Sequence, residues 1–398
     1  MIPKLNTIVE TIPEALSIYI NQIVYDKKAR GERVYTYSLG EAFFDVPRFE
    51  INDSDWVRGY HYSSSMGQGL LRQKLANLYS EYGVKLNPDT EILISAGSKI
   101  LIYMVLLAII NKGDEVLVPE PAWLSYKEQI KLANGVHVPV PYTESVDNWE
   151  KYITPRTKAI IINNPTNPSG KLFSHDEFNK LLEIARQHNL FIISDEAYSD
   201  FLTPDKQFIS FASIDKNHDN SIIVNSLSKN MGMSGWRVGY VIANEKLIHE
   251  LLKLNQHLVT CAPTVLQDYM AEHFEEILSF TRPQAVKMAE KRHAVQKIMD
   301  KIGIKTLPGV GTFYFLIDVS SFPGTTDELV YDLLINHNIA TVSGIAYGES
   351  TRDFIRFGIG VENLEDIEKS LRVIKSFLDM SEYDNSAINK KMKEIGML

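Results

Sequence analysis

The chain has 398 residues, too many for one ordinary core, and its 44% hydrophobic and 23% charged content is that of a globular protein of about two or three domains. With 41 Lys and Arg against 50 Asp and Glu, the formal net charge of −9 argues against nucleic acid as a partner, because phosphate backbones select basic faces. No apolar run reaches a membrane span, Met1–Asn6 lacks a basic region followed by a signal core, and the single cysteine, Cys261, excludes an intrachain disulfide framework, so a cytoplasmic protein without membrane contact is expected.

Apolar positions recur at helical spacing from Ile8 to Ala29, which predicts one amphipathic arm or helix. Val34-Tyr-Thr-Tyr-Ser-Leu-Gly40-Glu41 reads as a short strand ending in glycine, and Phe44–Pro47 as the turn leaving it. Tyr62-Ser-Ser-Ser-Met-Gly67 leads into a helical pattern from Gly69 to Tyr79. Glu91–Lys99 is a strand that turns through Gly97 into an apolar helix from about Ile100 to Ile110. Free backbone N–H groups at Gly97, Ser98 and Lys99 would then form an anion site at the helix start. Asp114–Pro119 is the next strand and delivers Pro121-Ala-Trp123-Leu-Ser-Tyr126. Lys158–Asn163 reads as a buried strand followed by Asn164-Pro-Thr-Asn167-Pro168-Ser-Gly170, a double turn whose prolines fix the angle of the Asn167 amide. Asn189–Asp195 is a further strand, with Asp195 at its end and Tyr198 three residues on.

The next strand, Ser221–Asn225, runs into Ser226-Leu-Ser228-Lys229 and a glycine-spaced Arg237. Lys229 therefore falls just past a strand's carboxyl end, where open α/β sheets place ligands. Hydroxyls and an arginine there suit a phosphate, and a lysine among them suits condensation with an aldehyde. Pyridoxal phosphate requires both. Beyond it, Leu247–Gln256 continues as helix, and Phe274–Ile302 is a long amphipathic pattern able to bridge two domains with one face on each. Gly311–Asp318 alternates like a strand, Thr326–Asn336 is helical, and Asp353–Gly360 is a strand carrying Arg356 among apolar neighbours. Such an arginine demands a partner, and a carboxylate is the usual one. A last helix from Leu364 to Leu378 leaves Ser381–Leu398 as a tail about which the pattern says little. No dinucleotide fingerprint and no His/Cys/Asp cluster with metal-ligand spacing is found, so no metal is expected.

The run Asn225–Gly239 resembles the lysine signature of class I aminotransferases, and motifs in family order extend from about Gly40 to Gly358. The resemblance is to the class I/II family of the aspartate aminotransferase superfamily. It implies the α/β architecture of fold type I pyridoxal-phosphate enzymes: a large cofactor-binding domain over 47–283, built on a mostly parallel seven-stranded sheet flanked by helices, with an arm and part of the small domain in 1–46 and a smaller α+β domain in 284–398. In that pattern Lys229 carries the cofactor and serves as the base, Asp195 partners the pyridine nitrogen, Asn167 and Tyr198 donate to the ring oxygen, and Trp123 stacks on the ring. Gly97, Ser98, Lys99, Ser226, Ser228 and Arg237 would hold the phosphate, with Tyr62 reaching it from the other subunit of a homodimer with shared sites. Arg356, with Gly40 and Asn167, would take the substrate's α-carboxylate.

The implied reaction moves an amino group between an amino acid and a 2-oxo acid. Lys99 sits where an aspartate- and prephenate-using bacterial subgroup carries a lysine for the distal carboxylate, so a dicarboxylate such as aspartate or glutamate is an expected partner. Against it, Glu14 stands in Pro13–Ser17, where that subgroup supplies hydroxyls. The same scaffold also serves carbon–sulfur β-lyases, ring-forming synthases, decarboxylases and cofactor-binding regulators without turnover.

Overall fold

In the computed structural model, which describes residues 3–394, the isoleucine-rich runs become the middle of a sheet because they are the stretches able to bury both faces. After a two-residue strand, β1 (Tyr35–Thr36), seven strands make that sheet: β2 (Ile92–Ser95), β3 (Glu115–Pro119), β4 (Val136–Val140), β5 (Thr157–Asn163), β6 (Phe191–Asp195), β7 (Ser221–Ser226) and β8 (Gly239–Ile242). Their order is β2-β8-β7-β6-β5-β3-β4, with β8 alone running against the others. Successive side chains point to opposite faces. Accordingly Ile160, Ile162, Ile192 and Ile223 join a core under the helices Gly69–Ser80 and His175–His188. Ile161, Ile193, Ile222 and Val224 join another under Ser98–Ile109 and Glu245–Leu258.

A second unit is assembled from both chain ends. Strands β9 (Tyr314–Asp318), β10 (Ile339–Ala340), β11 (Val342–Ser343) and β12 (Phe354–Gly358) contribute an antiparallel sheet of order β11-β12-β9, while β10 pairs in parallel with β1. One core there holds Ile20, Val24, Val34 and Tyr37 together with residues of β9, β12 and the helices Thr326–Asn336 and Leu364–Leu378. The helix Phe274–Ile302 joins the two units. Phe274, Ile277 and Leu278 pack in the sheet's core, whereas Ala285, Val295 and Met299 pack in the second, with Pro283 between the two sets.

Three expectations change. The predicted helix Ile8–Ala29 is two helices, Thr7–Glu10 and Leu16–Ala29, because Pro13 has no N–H to donate and pushes the residue before it out of helical geometry. The predicted strand Val34–Glu41 pairs only at Tyr35 and Thr36, after which the carbonyls of Ser38 and Gly40 turn to side chains instead. The tail carries a helix, Ser386–Glu394, which buries Ile388 and Met392 against Tyr331. Tyr383 Oη donates to Asp332 at 2.6 Å and Asn385 Nδ2 to Glu328 at 2.7 Å, so polar contacts also fix the approach to that helix. The tail beyond Glu394 lies outside the described residues.

The register of β5, β6 and β7 aligns their carboxyl ends. Asn163 is level with Asp195, and Asp195 with Val224, so three neighbouring strands end together and deliver Asn163, Asp195 and Ser226 to one edge of the sheet.

Candidate active site

Past β7 the chain enters a single helical turn, Leu227–Asn230, whose cap is Ser226: its Oγ accepts the Ser228 N–H at 3.0 Å. That turn aims Lys229 over the sheet edge, where Nζ donates to the Gly40 carbonyl from the far end of the chain. Burial holds the Lys229 amine down to about 8, with Arg356 and Arg237 acting the same way against Glu41 and Asp195.

A cavity of about 250 Å³ opens there, and Gly40, Ser98, Lys99, Trp123, Asn167, Asp195, Tyr198, Ser226, Ser228, Lys229, Arg237 and Arg356 all line it. Two predicted residues do not. Gly97 stands behind the wall, at φ 92°, as the cap of helix Ser98–Ile109, and a side chain there would strike the Arg237 guanidinium. Tyr62 is 87% exposed on this single chain, outside the cavity. Tyr126, Asn163 and Tyr314 also line it, and the sequence pattern did not single them out. A polar residue closing an isoleucine strand was the available signal for Asn163; Tyr314 had none.

Asp195 is 6% exposed and accepts from Tyr126 Oη at 2.6 Å and from the Ala197 N–H at 3.2 Å. Burial pushes its carboxyl up to about 6, while Tyr126, Ala197 and Lys229 pull it back. Asn163 braces both neighbours: its Nδ2 donates to the Asp195 carbonyl at 2.8 Å, and its Oδ1 accepts the Asn167 N–H at 2.6 Å. Asn167 and Tyr198 meet at 3.0 Å, and Tyr198 Oη lies 3.3 Å from Tyr314 Oη. The Lys99 ammonium sits 5.1 Å from the Trp123 ring centre, its pKa lowered by burial and by Arg237. Lys99 and Trp123 also line a neighbouring cavity of about 630 Å³ that Glu14 shares.

Arg356 is 3% exposed, and no acid among the described residues pairs with it. Its Nη2 donates to the Ser38 carbonyl, its guanidinium lies 4.7 Å from the Tyr314 ring and 5.1 Å from Tyr347, and Nε has no partner. Asn167 Oδ1 is likewise buried and unpaired. With Nδ2 donating one N–H to Tyr198 Oη, the Tyr198 O–H and the second amide N–H are left for an acceptor oxygen. The lining thus has four basic side chains, one acid, the flat face of Trp123 with three tyrosines, and two unused polar atoms. This set fits pyridoxal phosphate and a carboxylate substrate. Among the described residues no cluster suits a metal and no helix is long and apolar enough to cross a membrane.

The family model for aminotransferase class I and II matches residues 57–374. The chain belongs to that family. Relatives agree: it is 31% identical to an aspartate aminotransferase of Pyrococcus abyssi over 367 residues, covering 88% of this chain and 94% of that one. It is 33% identical to a probable aspartate/prephenate aminotransferase of Aquifex aeolicus over 371 residues, covering 88% and 93%. A solved Methanococcus jannaschii structure, described as similar in its active site to kynurenine aminotransferases, superposes with TM-score 0.83 at 29% identity, over 94% of this chain and 100% of that one. The protein is a pyridoxal-phosphate-dependent aminotransferase of fold type I, which sets aside the regulator and the other reaction types the scaffold serves.

One feature of this aminotransferase lies directly behind Asp195. Glu196 is fully buried on the other side of the strand end, accepting from Ser210 Oγ and the Phe211 N–H at 2.8 Å, Ser194 Oγ at 3.2 Å and Tyr79 Oη at 3.4 Å. Burial outweighs these donors and lifts the carboxyl from 4.5 to about 7. The unfolded chain ionises first, so the native state loses stability as pH rises from about 4.5 to 7, and the loss is constant above that window. Urea midpoints of the cofactor-free protein should fall across the window. Glu196→Gln should flatten the curve by up to roughly 3 kcal/mol; equal slopes for the two proteins would assign the dependence to other groups.

Proposed function

We propose that Lys229, Asp195 and Arg356 divide the reaction among them; the observation that carries this is their convergence on one cavity with an amine held near 8 and an arginine without an acid. Pyridoxal phosphate, when bound, supplies an aldehyde for amines to condense with and a protonated ring that takes up the electron pair of the α-carbon. Ser226, Ser228, Arg237 and the N–H groups of Ser98 and Lys99 would hold its phosphate, while the Gly97 N–H is already given to the Ser95 carbonyl. Trp123 would cover one ring face, Asn167 and Tyr198 would donate to the ring oxygen, and Asp195, braced by Tyr126, would keep the ring nitrogen protonated. Arg356 forks the substrate α-carboxylate beside Gly40. Lys229 Nζ, once free of the cofactor, would be the base that carries a proton to and from the substrate's α-carbon. Borohydride reduction of the holoenzyme followed by peptide mapping should find the pyridoxyl group on Lys229, and a label on another lysine would overturn the assignment.

On the substrate side, we infer that a dicarboxylate is one partner. Lys99 supports this, since it adds a fourth cation beyond those needed by a phosphate and one carboxylate, and relatives named for aspartate and prephenate point the same way. Glu14 opposes it across the neighbouring cavity. Lys99→Met should lower kcat/KM for aspartate or glutamate by about tenfold to a hundredfold, the value of a charged hydrogen bond, and lower that for alanine much less. Equal losses for all amino donors would remove Lys99 from the selection.

We further propose a cytoplasmic homodimer in which Tyr62 completes the partner's phosphate site. The supporting observation is a tyrosine 87% exposed amid the exposed apolar side chains Trp56, Val57, Tyr60 and Leu70. Hybrids of Tyr62→Ala and Lys229→Ala subunits then contain one site with both defects and one with neither, and should regain activity; hybrids that form yet stay inactive would show that Tyr62 does not act across an interface.

A further inference from the structure

A second cavity, of about 370 Å³, lies beside the catalytic one and shares two walls with it, Tyr126 and Asn163. Those are the side chains that hold Asp195 and Asn167. On one side it is walled by the sheet, at Val118 and Ile161, and on the other by Leu307 and Pro308, which come after the joining helix Phe274–Ile302; it therefore sits in the seam between the two units. Its volume is that of a small-ligand site.

The lining has a definite chemistry. Tyr142, Trp149 and Phe173 supply aromatic faces. Glu120 is 8% exposed, and no basic side chain among the described residues pairs with it; its two oxygens accept only the N–H groups of Glu349 at 3.1 Å and Ser350 at 2.9 Å. A buried carboxylate without a cation is costly, and an ammonium supplied from outside relieves it. Lys171 lines the same space, its ammonium 4.4 Å from the Phe173 ring centre and paired with Glu177 near the surface. The other acid of the lining, Glu144, is already paired with Lys151, so a free acid, a base and aromatic rings around one volume complement a zwitterion with an aromatic body.

We propose that this cavity is a binding site for a free aromatic α-amino acid, separate from the catalytic site, with the ammonium at Glu120, the carboxylate at Lys171 and the ring among Tyr142, Trp149 and Phe173. Because the walls are shared, occupancy is felt at Asp195 and Asn167, and whatever free energy couples the two cavities acts equally in both directions. The seam position adds a second route, since the Val310 and Gly311 N–H groups close on the Gly170 carbonyl immediately beside it.

The test is calorimetric titration of L-tryptophan into the holoenzyme in its pyridoxamine form, which has no aldehyde for the amino acid to condense with. One molecule should bind per subunit with a dissociation constant tighter than about 1 mM. Thr143→Trp, which fills the rim from an exposed position, should abolish binding; Lys171→Met should weaken it by about tenfold, the value of one charged contact; and Arg356→Met should leave it intact. No binding at that strength to the wild type, binding by Thr143→Trp equal to the wild type, or loss of binding in Arg356→Met would overturn the proposal, the last by placing the ligand in the catalytic cavity. Thr143→Trp and Lys171→Met should both keep the wild-type kcat/KM, which separates an empty second site from a misfolded enzyme.

Discussion

Four basic side chains face one acid in a space of about 250 Å³, and holding them there without counter-ions is the constraint the rest of the structure meets. Like charges a few ångström apart in a partly desolvated site repel strongly. Each is held by neutral groups instead: Lys229 by the Gly40 carbonyl, Arg237 by the Ser234 carbonyl at 2.7 Å, Arg356 by the Ser38 carbonyl and two tyrosine rings, Lys99 by the Trp123 face. Carbonyl dipoles and ring faces orient a cation without cancelling its charge. The surplus matches the charge of a phosphate and a carboxylate, and the Lys229 amine is depressed first by burial, with Arg356 and Arg237 adding to it.

Those neutral supports come from distant parts of the chain, and that distance decides which site residues are legible in the sequence. Lys229, its serines and Arg237 lie within one short run, and Asp195 closes an isoleucine strand, so local pattern located them. The helix Phe274–Ile302 was legible for the same reason: its apolar period continues along one stripe, which packs in the sheet's core at Phe274–Leu278 and in the second core from Ala285 to Met299. By contrast Tyr126 acts through Asp195, 69 residues away, and Tyr314 through Tyr198, 116 away. Periodicity carries no trace of such pairs. The edge strand β4, broken in pattern by Pro139, and the tail helix Ser386–Glu394, whose apolar face is only Ile388 and Met392, were too weakly marked to stand out. Pro13 was visible all along, and the helical period on either side of it masked the break.

The site also depends on how closely the two units approach. Gly309 and Gly311 lie so near the Asn164–Gly170 turn that a side chain would meet the Ser169 carbonyl at the first position and the Pro165 ring at the second. The contact is therefore backbone on turn, closed by Val310 and Gly311 N–H groups on the Gly170 carbonyl, by Thr312 N–H on the Phe201 carbonyl and by Ala122 N–H on that of Tyr347. Backbone contacts of this kind have few alternative registers, so the seam holds the Asn164–Gly170 turn and Tyr347 in place.

Arg292 shows how that precision reaches the reacting atoms. It is 6% exposed, pairs with no acid among the described residues, and lies 4.2 Å from the Phe315 ring centre with Nη2 donating to the Tyr314 carbonyl at 3.3 Å. The same guanidinium touches the position of Gly170. One buried cation on the joining helix thus bears on the turn that carries Asn167 and on the strand that carries Tyr314, whose ring lies against Arg356. A hydrocarbon there would pack as well and cost less to bury. What it lacks is a planar fork that fixes direction, and direction matters where Asn167 and Arg356 belong to different units and line one cavity.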